Sequence, residues 1–167
     1  MTTPATRTHS WIPLEPTEDM ERMSGAELLA AVIEGRIAPP PMAGTLGFAL
    51  TGARPGFAEA TGETGPHLAN MRGTVHGGYV ATLLDSVLGA SVLTLLPPRT
   101  GISTVQLNVN YVRPVVVGSG LLRCSAEVVH QGRRLSTARA RVVAVDSDKL
   151  YAHATATIAV SAHDFPC

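Results

Sequence analysis

The chain has 167 residues, of which 45% are hydrophobic and 16% are charged, so the composition indicates one folded domain and excludes a largely disordered chain. Thirteen basic residues balance thirteen acidic ones. The net charge therefore offers no case for binding nucleic acid or an anionic membrane surface.

The two cysteines, Cys124 and Cys167, are too few for a disulfide framework or a zinc site. Cys124 lies in a strand-like run and is expected to be a small buried hydrophobe. The first ten residues lack the apolar core of a signal peptide, so we expect a cytoplasmic location.

Residues 1–43 are predicted to form an N-terminal extension with one helix. Apolar residues recur at helical spacing from about Thr17 to Gly35, and the proline run at 39–41 ends that helix as a stiff connector. We expect the extension to lie on the main domain, residues 44–162, and not to form a second domain.

The main domain is predicted to contain one helix among strands. Two short strands come first, followed by a Gly-rich loop at 61–75 and a helix from about Gly78 to Leu96. Polar and apolar side chains then alternate strictly at 104–111, which is typical of a half-buried strand, and the short turns that follow imply antiparallel hairpins. The predicted strands are Leu46–Thr51, Gly56–Ala60, 104–111, 121–129, 137–145 and 152–160.

The predicted helix is apolar on nearly every face. Residues 73–98 contain no Lys or Arg and a single carboxylate, Asp85. One flat sheet surface cannot cover such a helix, so we expect an α+β fold in which a curved antiparallel sheet wraps the helix and a second copy covers the rest. The helix is too short, and too often interrupted by polar side chains, to be a membrane span.

Asp85 is the first candidate for function. A carboxylate inside an apolar helix is costly to bury unless it is paired or functional. It lies about two helical turns after His76-Gly77-Gly78, where backbone N–H groups at a helix start suit an anion or a polarised carbonyl. The alternative is a structural acid satisfied by a backbone N–H or a distant Arg.

Two motifs carry a family resemblance that covers roughly residues 44–160. The string Asn70-Met-Arg-Gly73-Thr-Val-His76-Gly77-Gly78-x6-Asp85-x3-Gly89 resembles the hotdog-fold acyl-CoA thioesterases of the phenylacetic-acid-degradation (PaaI-like) type. The run from Thr104 to Arg113-Pro114 is similar to that family's second signature. The resemblance implies a long helix wrapped by an antiparallel sheet. It also implies dimers joined at their sheet edges, which often pair further into tetramers, and active sites built from residues of both protomers.

The resemblance also implies roles for single residues. Asp85 would be the catalytic carboxylate, as general base toward water or as nucleophile, and the Gly77 N–H would bind the carbonyl oxygen, where negative charge develops. Asn70 would orient water, His76 would shape the loop, and Thr104 falls near the position of an assisting hydroxyl. From the residues alone, Asn70 and His76 could instead serve only the loop, and Thr104 could be an outward-facing strand residue.

Coenzyme A is expected to contact two further segments. The resemblance places Asn110–Val115 and the turn Gln131–Arg134 near its nucleotide and pantetheine, and guanidinium groups suit phosphate. The alternative for the turn is a solvated hairpin with no ligand. The predicted substrate-binding residues are Gly78, Asn110, Tyr111, Arg113, Gly132, Arg133 and Arg134.

The expected activity is hydrolysis of an acyl-CoA or aryl-acyl-CoA to the free acid and CoA, without a metal or redox cofactor. The main alternative is a non-catalytic acyl-CoA or acyl-carrier binding protein of the same fold, which would not need Asp85. An enoyl-CoA hydratase of this fold would place a His a few residues from its Asp, whereas no His lies between His76 and His130. The acyl group, the nucleophile and the choice between dimer and dimer of dimers stay open at this point.

Overall fold

In the computed structural model, which describes residues 3–13, 15 and 17–162, six antiparallel strands form one sheet around a long helix. The strand order is β1-β2-β4-β5-β6-β3, so β1 and β3 are the edges of the sheet. The predicted α+β hotdog architecture is confirmed. The strands are β1 Phe48–Arg54, β2 Phe57–Gly62, β3 Thr100–Tyr111, β4 Leu122–His130, β5 Leu135–Ala144 and β6 Leu150–Ala162.

The long helix, Gly77–Leu93, lies against the inner face of the sheet and contacts all six strands. It is the fourth α-helix in the described part of the chain and is called α4. Leu83, Leu84 and Leu88 are fully buried in the core that it shares with the strands. Burial of each such side chain stabilises the fold by about 1.5–3 kcal/mol.

The sequence predicts that the helix ends at Leu96, but α4 ends at Leu93. The residues that follow Leu93 form a tighter turn. The N–H groups of Leu95 and Leu96 donate to carbonyls three residues back, as in a 3₁₀ turn. The Thr94 hydroxyl donates to the Ser91 carbonyl at 2.6 Å and accepts from the Gly56 N–H at 2.8 Å. This side chain therefore ties the end of α4 to the turn between β1 and β2.

Three short helices precede β1 in the described part of the chain, where the sequence predicts one, and the third runs past residue 43. They are α1 Glu18–Arg22, α2 Gly25–Ile33 and α3 Pro41–Leu46. Ser24 divides the first two because it caps α2: its hydroxyl accepts from the Glu27 N–H, and the Glu27 carboxylate accepts from the Ser24 N–H. The same carboxyl has a lowered pKa, chiefly because of the hydrogen bond from the Ser24 side chain. Pro41 is the first residue of α3, a position at which a backbone N–H would have no partner within the helix, so proline, which lacks one, is tolerated there.

Helix α2 packs against the end of α4. The Gly25 N–H donates to the Leu96 carbonyl at 3.1 Å, and a Cβ at Gly25 would overlap the Leu93 carbonyl. Leu29 packs with Ala58 and Ala90 in a small second cluster. The extension therefore shares packed surface with the rest of the fold, and a domain boundary at residues 43 and 44 stays a prediction.

Cys124 is free and fully buried on the inner face of β4, as the sequence predicts. Burial raises the pKa of its thiol. Cys167 lies outside the described residues.

Tyr79 carries a buried hydroxyl that has no hydrogen-bond partner among the described residues. The side chain is 5% exposed, and burial raises the pKa of its phenol well above the ordinary value. Its oxygen lies against Gly62, where an added Cβ would overlap it.

Tyr79→Phe should therefore leave the free energy of unfolding unchanged or raise it by about 1 kcal/mol, because it removes an unsatisfied polar atom. Urea denaturation measures the change. Gly62→Ala is the matched contrast and should cost about 1–3 kcal/mol through overpacking. A clear loss of stability in Tyr79→Phe would show that the hydroxyl has a partner in solution.

Candidate active site

Asp85 and Thr104 meet across the seam between α4 and the edge strand β3. The Thr104 hydroxyl donates to Asp85 Oδ1 at 2.8 Å, and the carboxylate is half-buried. Just after Thr104 the pairing of β3 with β6 shifts register, so that Thr104 pairs with Ile158 and Gln106 with Thr157. Thr104 thus faces the helix, and its donor orients the carboxylate while leaving other oxygen lone pairs available.

His76 forms the N-cap of α4. Its backbone is extended, and its Nδ1 accepts from the Gly78 N–H at 2.9 Å. Because Nδ1 is an acceptor here, the neutral ring carries its proton on Nε2. The His76 carbonyl accepts from the Tyr79 N–H at 3.0 Å. The imidazole is therefore engaged in shaping the helix start.

The Gly77 N–H has no acceptor among the described residues, unlike the N–H groups of Gly78 and Tyr79. It lies in the first turn of α4, where unpaired N–H groups and the helix dipole favour negative charge. The Tyr111 hydroxyl donates to the Gly77 carbonyl at 2.9 Å, and a Cβ at Gly77 would lie 3.3 Å from that ring. Gly77 is thus a free donor held against an aromatic side chain.

A pocket of about 200 Å³ opens beside Gly77 and Tyr111. Arg113 also lines it, with its guanidinium donating to the Leu150 carbonyl at 2.7 Å. Val112, Pro114 and Val115 also line it, and they belong to the segment 110–115 that the resemblance places near CoA. The sequence did not single out the remaining lining residues, Val75, Val80 and Tyr151.

Asn70 holds the turn that precedes α4. Its Oδ1 accepts from the N–H groups of Arg72 at 2.8 Å and Thr74 at 3.3 Å, and its Nδ2 donates to the Thr74 hydroxyl at 2.9 Å. Gly73 in this turn has φ +77°, a left-handed conformation that favours glycine. The amide makes no hydrogen bond to Asp85 or Gly77, so a role in orienting water stays a prediction.

The predicted CoA-binding residues lie at opposite ends of α4. Tyr111 and Arg113 are at its N-terminal end, beside Gly77. The β4–β5 turn is at the other end, where the Gln131 side chain donates to the Leu95 carbonyl at 3.4 Å. The 17 residues of α4 span about 25 Å, so one protomer does not bring the two groups together.

Three further residues were predicted to bind the substrate, namely Asn110, Gly132 and Gly78. Asn110 is exposed and pairs with His153 on the outer face of the sheet, away from α4. Gly132 approaches the Leu135 carbonyl so closely that a Cβ would overlap it. Gly78 is exposed in the first turn of α4, and its N–H is already taken by His76.

Metal-ligating side chains do not gather anywhere in the described part of the chain: no group of three or more His, Cys, Asp or Glu could hold an ion there. Of the helices described, none has both the length and the apolarity to cross a membrane.

Comparison with known proteins decides the family. Residues 72–163, more than half of the chain, match the thioesterase superfamily, and this range includes Asp85, Thr104 and the start of α4. The chain belongs to the thioesterase superfamily.

Curated relatives of this superfamily member include two acyl-coenzyme A thioesterases. THEM4 of Xenopus laevis is 32% identical over 94 residues, which are 56% of this chain and 40% of the relative. Acyl-coenzyme A thioesterase 13 of Homo sapiens is 31% identical over 87 residues, 52% of this chain and 61% of that protein. The chain thus spans less than two thirds of the length of either relative.

Solved structures of thioesterases share the fold. A thioesterase family protein from Silicibacter pomeroyi superposes with a TM-score of 0.72 at 28% identity, over 81% of this chain and 99% of that one. A mutant of the phenylacetic acid degradation protein PaaI from Thermus thermophilus gives 0.65 at 29% identity, over 72% and 98%. The family resemblance read from the two motifs is confirmed.

His76 provides a test of the helix cap. His76→Ala removes the acceptor for the Gly78 N–H and should lower the free energy of unfolding by about 1 kcal/mol. His76→Asn keeps a side-chain acceptor at this position and should retain most of that stability. Chemical denaturation compares the three proteins, and equal stability of the Ala variant would show that the cap contributes nothing measurable.

Proposed function

We propose that this protein hydrolyses acyl-CoA thioesters to a free acid and CoA. The observation that carries the proposal is the half-buried Asp85 of a thioesterase fold, whose carboxylate accepts a hydrogen bond from the exposed Thr104 at 2.8 Å. The acyl-coenzyme A thioesterases among the curated relatives support the same substrate class.

The reaction needs a nucleophile and a site for the developing oxyanion. Asp85 takes a proton from water as the water oxygen attacks the thioester carbonyl carbon, or it attacks that carbon directly. Negative charge then moves to the carbonyl oxygen, where an N–H at a helix start stabilises it. Collapse breaks the C–S bond, and the CoA thiolate leaves and takes up a proton. In the direct route, water then hydrolyses the acyl-Asp85 anhydride.

A single protomer does not hold both groups in reach of one carbonyl. Gly77 and Asp85 are eight residues apart on α4, about 12 Å along the axis, whereas a carbonyl carbon and its oxygen are about 1.2 Å apart. The proposed site is therefore shared. Asp85 and Thr104 of one protomer act with the partner's Gly77.

The edge strand β3 supports this assembly. It has 12 residues, pairs on one side with β6, and carries no strand on its other side within the described chain. Asp85 and Thr104 lie at that edge, and the exposed Val105 lies beside them. Antiparallel pairing of two β3 edges would bring the N-terminal end of one α4 near the C-terminal end of the other.

The same assembly would complete the CoA site. Tyr111 and Arg113 of one protomer would lie near the partner's β4–β5 turn, which carries the exposed Arg133 and Arg134. Guanidinium groups bind phosphate well, so these arginines suit the nucleotide of CoA. The two groups of predicted CoA-binding residues, which lie at opposite ends of α4 in one protomer, would then come together across the interface.

Asp85→Asn should lower kcat for acyl-CoA hydrolysis by about 10³-fold or more while the oligomer and the melting temperature stay near those of the wild type. Release of free thiol from short, medium, long and aryl acyl-CoA measures turnover. Asp146→Asn is the matched control, because Asp146 is exposed and lies in the turn between β5 and β6. Full turnover by Asp85→Asn would refute this mechanism, and substrate binding without turnover by the wild type would favour the non-catalytic alternative.

Mixed dimers test the shared site. Gly77→Pro removes the N–H at the first helical position, where proline is tolerated, and should lower kcat by about 10²–10³-fold. Gly77→Ala, which adds a Cβ but keeps the N–H, is its control. Asp85→Asn and Gly77→Pro should each be nearly inactive alone, but refolding the two in equal amounts should restore about a quarter of wild-type activity, since half of the dimers then hold one intact site. Absence of any recovery in verified mixed dimers would place the whole site within one protomer.

A further inference from the structure

Gly89 is the part of the first motif to which the resemblance gives no role. It lies inside α4, one turn before the helix ends at Leu93, and is buried, although glycine inside a helix is less favourable than alanine. A Cβ at this position would lie 3.2 Å from Ile102 Cδ1, closer than the 3.5–4.0 Å at which carbon atoms pack best. Gly89 therefore lets Ile102 of β3 pack directly against the backbone of α4.

The Gly89–Ile102 contact is the neighbour of the Asp85–Thr104 hydrogen bond. On the helix, Gly89 follows Asp85 by four residues, about 6 Å along the axis. On the strand, Ile102 precedes Thr104 by two residues on the same face, about 6.6 Å. Because these two spacings are nearly equal, the Gly89–Ile102 contact and the Asp85–Thr104 hydrogen bond are neighbouring contacts along the same interface between α4 and β3.

Farther along β3, Leu107 and Val109 pack against the core and Tyr111 donates to the Gly77 carbonyl, while Ile102 lies on the other side of Thr104. Strand β3 is an edge strand bonded to β6, and its distance from α4 depends on the side chains that lie between them. A hydrogen bond of 2.8 Å between Thr104 and Asp85 tolerates a shift of only a few tenths of an ångström before it weakens.

We propose that Gly89 is a positioning residue for the reaction, because its missing side chain sets the α4–β3 separation at which Thr104 reaches Asp85. This inference rests on the proposed thioesterase function for its kinetic readout, but its structural readout does not. Gly89 acts through Ile102 and Thr104 and does not touch the substrate.

The test is a double-mutant cycle between Gly89 and Ile102, because a Cβ added at Gly89 would come too close to Ile102 Cδ1. Gly89→Ala should lower kcat about tenfold, with KM changed less than twofold, because Thr104 is displaced while the pocket is kept. Ile102→Val removes the Cδ1 methyl that the new Cβ would meet, and alone it should stay near wild type. The double variant Gly89→Ala with Ile102→Val should recover to within about threefold of Ile102→Val. Gly44→Ala is the control for adding a methyl in a helix, because nothing lies within 4 Å of its Cβ position.

The second readout is the ¹³C chemical shift of the Asp85 carboxyl carbon, assigned by comparison with Asp85→Asn. It should move in Gly89→Ala in the direction seen in Thr104→Val and return in the double variant. If Gly89→Ala does not fold, Ile102→Phe, which widens the separation of α4 and β3 from the strand side, should give the same shift and the same fall in kcat.

Wild-type kcat together with an unmoved resonance in Gly89→Ala would overturn the inference, and so would failure of Ile102→Val to restore either quantity. A wild-type protein that hydrolyses no acyl-CoA would refute the proposed function, while the carboxyl resonance would still decide the role of Gly89.

Discussion

Burial of α4 is the constraint on which the rest of this structure depends. A helix that is apolar on nearly every face has to be covered on several sides, and a curved sheet of six strands does this. The inner face of the sheet is built largely from small side chains, which let the helix approach its backbone closely. They include Ala58, Ala60, Ala126, Ala138, Ala140, Ala152, Ala154 and Ala156.

The same constraint determines where chemistry can occur. Most of α4 is sealed in the core, and its one charged side chain, Asp85, lies on its half-buried face. That face lies at the open edge of the sheet, next to Thr104 on β3. A carboxylate at this position meets a hydrogen-bond donor on one side and, in the proposed dimer, a second copy on the other.

Close backbone contacts recur wherever another element meets α4. Gly25 admits the Leu93 carbonyl, Gly62 admits the Tyr79 hydroxyl, and Gly89 admits Ile102. At each point a Cβ would come too close to its neighbour, which is a backbone carbonyl at Gly25 and the end of a side chain at Gly62 and Gly89. The glycines are thus spacers of the fold as well as flexible positions, and the one nearest Asp85 is linked to the proposed chemistry through that spacing.

The sequence by itself determined the fold class and the order of the long helix and the six strands, and it singled out Asp85 as the one carboxylate of that helix. Periodicity and charge are local properties, and they report which faces are buried without reference to the rest of the chain. The family motifs added Thr104, and the structure places its hydroxyl on Asp85. Only the tertiary structure decided that Tyr111 holds Gly77, that Ile102 packs on Gly89, and that Arg133 lies at the far end of α4 from Arg113. These relations join residues far apart in the chain, and they depend on strand register, helix length and packing distance, which no local pattern records.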